Sequence, residues 1–152
     1  MNEQMETTKT SEKQNGNASK LAVITKDVER RLMDIAKSME QHKAVMLEDY
    51  ERFFRWHSEE AYKAQVYKQE YDRLLIYLGT GDMNEIREYL CRKMEKTTTS
   101  FMESNLREFS MSASALANIN ELEAKRALCE YYKMMLDFIG NENEEGLNGQ
   151  GI

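Results

Sequence analysis

Apolar side chains recur every three or four residues along most of this chain, and two such stretches flank a short turn signal. One stretch covers residues 20–78, the other covers residues 83–139, and neither contains proline. This spacing places apolar side chains on one face of an α-helix, and no run alternates as a half-buried strand does. Residues 79–82 (GTGD) separate the stretches, and glycine readily adopts turn conformations. The pattern therefore predicts two helical arms that meet at a turn.

The arms are nearly equal in length, which predicts an all-α fold built as a long antiparallel helical hairpin that resembles a coiled coil. A four-helix bundle is the alternative, in which both arms bend at a similar height. The first bend would lie near Ser58, where the apolar stripe changes phase. The second would lie in residues 97–100 (TTTS), which disfavour a helix because of their β-branched and hydroxyl side chains.

The chain divides into three segments of different composition. Residues 1–19 and 141–152 have little apolar content and cannot repay the entropy of ordering, so we expect two disordered tails, the second of them acidic. Residues 20–140 are predicted to form a single helical domain. Within it, Asp82 and Glu85 form a capping box that begins the second arm, and Gly140 is expected to end it.

Composition and charge narrow the class of function. The 152 residues carry a net charge of −6, whereas a nucleic-acid-binding domain is usually basic. No apolar run approaches 18 residues, so we expect no membrane-spanning helix and no membrane partner. Cys91 and Cys129 are not part of a metal-binding spacing, and we expect two buried free thiols in a cytoplasmic protein.

Catalytic patterns are absent from the sequence. A metal site on a helical bundle uses Glu-x-x-His pairs, but Met39 and Phe54 stand three positions before His42 and His57. The chain has no phosphate-binding glycine loop, and no nucleophile stands beside a base at a recognisable spacing. The sequence therefore predicts no metal, no cofactor and no enzymatic activity.

Eight of the fourteen aromatic residues fall between residues 50 and 77. A helical wheel places Tyr50, Phe53, Phe54 and Tyr71 on the apolar stripe, so we expect these four to pack internally. The remaining aromatics lie on the flank or the outer face, where tyrosine and tryptophan often anchor protein interfaces. The predicted protein interface consists of Arg52, Arg55, Trp56, Tyr62, Tyr67 and Tyr77.

A basic cluster occupies residues 87–96 and leads into the hydroxyl-rich segment 97–100. Its candidate phosphate contacts are Arg87, Arg92, Lys93 and Lys96. Acidic residues are interleaved with them, so a solvated helix face with pairs four residues apart is the competing interpretation.

The leading hypothesis is a non-enzymatic helical module for protein–protein interaction or self-assembly, such as an adaptor, an assembly factor or a chaperone-like protein. Its expected partner is a second copy of the chain, forming a homodimer, or another protein that binds through helical surfaces. The alternative is a regulatory component of a nucleoprotein complex that uses the basic cluster near residues 87–96.

Overall fold

The computed structural model describes the backbone of residues 3–105 and 113–140, and the side chains of residues 12–100 and 115–140. These residues form α-helices and no strand, which confirms the predicted all-α class. The helices are α1 (Glu3–Glu48), α2 (Tyr50–Trp56), α3 (Ser58–Thr80), α4 (Met83–Asn105) and α5 (Ala113–Ile139).

The first arm bends at Asp49 and again at His57. Asp49 has an extended backbone (φ −151°, ψ 98°), and its side chain accepts a hydrogen bond from the Arg52 amide at 3.0 Å. This is the geometry of a helix N-cap, so α1 ends and α2 begins there. The chain bends again at His57 before α3 begins at Ser58. The phase change near Ser58 therefore corresponds to a real bend, but the chain first turns at Asp49.

The turn between α3 and α4 is the one that the sequence predicts. Gly81 has φ 70°, a left-handed conformation that favours glycine. Asp82 Oδ1 accepts hydrogen bonds from the amides of Asn84 and Glu85 at 2.9 Å and 3.2 Å, which confirms the predicted cap. Gly140, with φ 87°, ends α5 as expected, and its amide donates to the Leu136 carbonyl at 3.0 Å.

The second arm does not break in residues 97–100. The hydroxyls of Thr97, Thr98 and Thr99 donate to the carbonyls four residues earlier, at 2.8 Å, 2.9 Å and 3.1 Å. These bonds give each hydroxyl a partner along the helix itself, so α4 continues to Asn105. Residues 106–112, which join α4 to α5, lie outside the described residues.

The four long helices form a bundle in which α3 and α5 are central. Helix α1 packs chiefly on α3, α4 packs on α5, and α3 and α5 pack on each other. Lys63 pairs with Glu123, and Tyr71 contacts Tyr131, so α3 and α5 run parallel. This arrangement is the bundle alternative, because each arm folds back on itself.

The buried side chains concentrate at one end of the bundle, which we call the base. The base consists of residues 20–28, 70–78, 83–90 and 131–139. Its fully buried side chains are Val28, Leu74, Ile86 and Leu90. Every side chain from residue 29 to residue 63 is described, and none of them is buried. We call the opposite end of the α1–α3 pair, residues 42–60, the tip.

Helix α1 also continues through residues 3–19, where the sequence predicts a disordered tail. The described side chains from residue 12 to residue 19 are exposed, apart from a half-buried Asn17. This segment therefore extends the helix while burying little surface, and its helicity depends on the local backbone bonds. The predicted C-terminal tail, residues 141–152, lies outside the described residues.

Candidate functional site

The tip presents large apolar side chains to solvent. Within ten residues of chain, Leu47 is 66% exposed, Tyr50 62%, Phe54 66% and Trp56 76%. Single exposed apolar residues are common on protein surfaces and need no explanation. Here four large apolar side chains are exposed close together in the chain, and such a cluster indicates an interaction site.

Helix α2 carries most of these side chains, and it buries none of its seven residues. Across the tip, the rings of His42 and His57 contact each other edge to face, with their centroids 5.5 Å apart. At 3.6 residues per turn, Phe54 and Trp56 point about 200° apart on α2. The tip therefore exposes aromatic rings on opposite sides of a short helix.

Acidic side chains surround these rings. Residues 47–60 include five carboxylates and two guanidinium groups. Arg55 pairs with Glu51 at 2.8 Å, and Glu59 pairs with Lys63 at 2.8 Å. Lys43 is also part of the tip, so three carboxylates and two cations of the tip remain outside these pairs, and the tip carries a net negative charge.

Three of the predicted interface residues lie together at the tip. Arg52 and Arg55 are exposed on α2, and Trp56 is the last residue of that helix. Tyr62 lies one turn into α3 and is half-buried.

The other two predicted interface residues lie along α3 and pack within the chain. The Tyr67 ring stacks on Tyr71 with centroids 6.4 Å apart, and Tyr77 stacks on Tyr89 at 4.0 Å. Both side chains are half-buried. The structure thus separates them from the tip.

The prediction that Tyr50 and Phe54 pack internally is wrong, because both are largely exposed. The helical wheel assumed one continuous helix, whereas the break at Asp49 reorients everything that follows it. Tyr71 is buried as expected, and Phe53 is half-buried.

A second feature is a cavity of about 370 Å³ between α3, α4 and α5, which we call the basic groove. Four cationic side chains line it, and they are Arg73, Lys93, Lys96 and Lys125. Among the described residues, its acidic side chains are Glu70 and Glu121. The described lining therefore has a formal charge of +2, in a chain whose net charge is −6.

Glu70 organises the inner end of the groove. Its side chain is 4% exposed and pairs with Arg73 Nη1 and Lys93 Nζ, both at 2.8 Å. A buried carboxylate needs such partners, because desolvation strongly disfavours an unpaired charge. Nearby, burial and then the Glu70 carboxylate raise the pKa of Tyr89 to about 12, so this phenol stays neutral.

The floor of the groove is apolar. Leu122, Leu128 and the Tyr132 ring contribute to its lining. The Tyr132 hydroxyl is buried and has no hydrogen-bond partner in the described part of the chain. Burial and the nearby Glu70 carboxylate raise the pKa of this hydroxyl.

Of the four predicted phosphate contacts, two line the basic groove and two do not. Lys93 and Lys96 line the basic groove, one turn apart on α4. Arg92 is exposed and Arg87 is half-buried, and neither lines the groove. The Thr97 hydroxyl also lines it, but its hydrogen is already donated to the Lys93 carbonyl.

An ionic cluster joins α1 to α5 at the base. Asp27 accepts hydrogen bonds from Tyr131, Arg31 and Arg30 at 2.5 Å, 2.9 Å and 2.7 Å. The Arg31 guanidinium also lies over the Tyr131 ring, 4.0 Å from its centroid. Burial raises the pKa of Asp27, but these three hydrogen bonds outweigh burial and hold it well below its ordinary range.

Other kinds of site have no basis in the described residues. Among them, no three His, Cys, Asp or Glu side chains form a group that could hold a metal ion. None of their helices is both long enough and apolar enough to cross a membrane. Cys91 is exposed and Cys129 is half-buried, so the expectation of two buried thiols is wrong, although both thiols are free.

The chain was compared with known proteins at three levels. No protein-family model matches it, and neither a curated protein nor a solved structure does so. Any assignment of function therefore depends on the geometry of the tip and the basic groove.

Proposed function

We propose that this protein is a non-enzymatic helical interaction module whose tip inserts into an apolar cleft of a partner protein. The observation that carries the proposal is the exposure of Leu47, Tyr50, Phe54 and Trp56 at one end of the bundle. Aromatic anchors that become fully desolvated supply most of the binding energy at protein interfaces. An adaptor or assembly factor would use such a tip to recruit a second protein.

The geometry of α2 favours a cleft over a flat surface. Phe54 and Trp56 lie on opposite sides of the helix, so a flat partner could cover only one of them. A cleft between two partner helices would enclose both rings. The acidic surroundings of the tip favour a cleft whose rim carries lysine or arginine side chains.

The same charge argues against two tips meeting in a homodimer. Each tip carries five carboxylates and three cationic side chains, so two copies would bring net like charges together. We therefore commit to a different protein as the occupant of the tip. Self-association through another face stays a prediction of the sequence.

Site-specific photo-crosslinking tests this proposal. A photoreactive phenylalanine analogue replaces Phe54 in one variant and Ile76 in a matched control. Ile76 is 71% exposed on α3, but it lies in the base. After irradiation in the native lysate, we expect position 54 to yield one dominant cross-linked protein that position 76 does not.

Two further results are required of that adduct. It should survive nuclease treatment, and the additional substitution Trp56→Ala should strongly reduce its yield. Equal adducts from positions 54 and 76 would refute a dedicated tip. An adduct that contains only copies of this chain would refute the adaptor function and indicate self-assembly instead.

A further inference from the structure

We propose that the basic groove binds a soluble small-molecule phosphate monoester, a property separate from partner binding at the tip. The groove has a volume of about 370 Å³, within the range of pockets that hold small ligands. Its lining combines cationic side chains with an apolar floor. Such a combination suits a ligand with an anionic group and an organic body.

The inner end of the groove is already neutralised. Glu70 is buried and pairs with both Arg73 and Lys93, so these two cations are held in place and their charges are largely compensated. An incoming anion would have to displace a buried carboxylate to claim them fully. The cations that can still attract an anion therefore lie toward the outer end of the groove.

The outer end has one cation without a counter-ion among the described residues and one that is easily released. Lys96 makes no hydrogen bond or ion pair within the described residues, although it lines the groove. Lys125 pairs with Glu121 at 2.6 Å, but both side chains are more than one-third exposed, and such pairs contribute little stability. An anion placed between α4 and α5 can engage both lysines at low cost.

The charge of the groove favours a phosphate monoester over a carboxylate. The four cations exceed the two carboxylates by two, and a phosphate monoester carries between −1.5 and −2 charge at neutral pH. Ser100 and Asn118 also line the groove and supply side-chain hydrogen-bonding groups. The apolar floor formed by Leu122 and Leu128 accommodates the organic part of the ligand.

A nucleic acid fits these observations less well. Single-stranded nucleic acid follows an extended basic track that carries stacking platforms. Here the cations gather in one cavity, and the exposed Arg92 of the same basic cluster does not line it. The overall charge of −6 also opposes a polyanion more than it opposes a small dianion.

Phenyl phosphate, inorganic phosphate and phenol serve as probes in titrations of the full chain, followed by isothermal calorimetry and by amide chemical shifts. We expect one phenyl phosphate per chain, weaker binding of inorganic phosphate at the same amides, and no saturable binding of phenol. Lys96→Met and Lys125→Met should each weaken phenyl phosphate binding about tenfold, because each removes a charge-assisted contact.

Lys37→Met is the matched control, since Lys37 is an exposed lysine on α1, which does not line the groove. It should leave the affinity unchanged, and circular dichroism should show equal helicity in all variants. An affinity that is unaltered in the Lys96→Met/Lys125→Met double variant would overturn the proposal, as would the absence of saturable binding by both phosphate probes. Tighter binding of a single-stranded oligonucleotide through the same two lysines would overturn the small-molecule proposal and indicate nucleic acid as the ligand.

Discussion

The base and the tip are built from the same kind of helix, yet they bury very different amounts of it. At the base, side chains from four helices converge, and Val28, Leu74, Ile86 and Leu90 are almost completely buried. In the described part of the chain the tip is formed by α1, α2 and α3, and no side chain between residues 29 and 63 is buried. Apolar residues recur at helical spacing in both regions, but more of the described helices are available to cover them at the base than at the tip.

This difference separates stability from recognition. Burial of apolar area is the dominant favourable term in folding, so the base supplies most of the stability. The tip contributes little to it and is therefore free to present aromatic rings to solvent. Substitutions of apolar residues at the base should lower the free energy of unfolding strongly, whereas those at the tip should leave it nearly unchanged. This expectation can be tested.

The largest effect is expected from a matched pair of leucine substitutions. Leu74→Ala removes a fully buried side chain and should lower the free energy of unfolding by about 2–5 kcal/mol. Leu47→Ala removes a side chain that is 66% exposed and should change it by less than about 0.5 kcal/mol. Urea unfolding followed by circular dichroism measures both. Equal losses would abolish the distinction between base and tip.

A smaller effect is expected from the buried carboxylate at the edge of the base. Glu70→Gln leaves Arg73 and Lys93 without their counter-ion, and we expect a loss of about 1–3 kcal/mol in the free energy of unfolding. Asp72→Asn on the same helix is the control, because its pair with Lys68 is exposed and should contribute less than about 1 kcal/mol. A Glu70→Gln protein as stable as the control would show that this ion pair does not support the base.

The ionic cluster at the base predicts a pH dependence. The pKa of folded Asp27 lies below its ordinary value of 3.8, so the folded chain binds fewer protons than the unfolded chain in acid. The stability that Asp27 contributes is therefore complete above about pH 5 and is lost as the pH falls. Tyr131→Phe removes one of its hydrogen bonds and should cost about 1 kcal/mol at pH 7.

Urea unfolding at pH 7 and at pH 3 checks this prediction. Between these two pH values the wild type should lose more free energy of unfolding than an Asp27→Asn variant, because the Asp27 carboxylate takes up a proton in the unfolded chain but stays ionised in the folded chain. An equal loss in the two proteins would show that the hydrogen bonds to Asp27 do not lower its pKa in the folded chain.

The smallest predicted effect is a gain in the free energy of unfolding, whereas the preceding substitutions lower it. Thr98 is exposed on α4, and within the described residues its hydroxyl donates a hydrogen bond to the Met94 carbonyl alone. Alanine has a higher helix propensity than threonine, so Thr98→Ala should raise the free energy of unfolding by about 0.3–0.5 kcal/mol. Thermal unfolding detects such a change as a small rise in the midpoint. A loss of stability would mean that tertiary contacts decide the conformation of this part of α4.

Local signals in the sequence were sufficient to predict the class of fold and several helix ends. Asp82 and Gly140 act at the positions expected, because caps depend on the residues immediately beside them. Asp49 stands seven residues after His42, at the spacing expected of a helical seam, yet it caps α2. A capping aspartate and a polar seam position look alike in sequence, and only packing of α1 on α3 distinguishes them.

The candidate sites were predicted only in part, for the same reason. Lys93 and Lys96 were identified because they are close in sequence and share one face of α4. Glu70 and Lys125 belong to other helices, and no spacing along the chain reveals that they reach the same groove. Phe54 was assigned to the interior because a helical wheel carries no information about a break five residues earlier.

The bond between Tyr131 and Asp27 joins residues that are 104 positions apart, whereas His42 and His57 at the tip are separated by only fifteen. A ribosome adds about 5–20 residues per second, so roughly 5–20 seconds separate the synthesis of the two partners at the base. The α1–α3 hairpin can form during that interval, but the base cannot close. Its apolar side chains are therefore exposed to solvent or to a chaperone before α5 covers them. The end of the molecule that is best protected after folding is the one most prone to aggregation while the chain is being made.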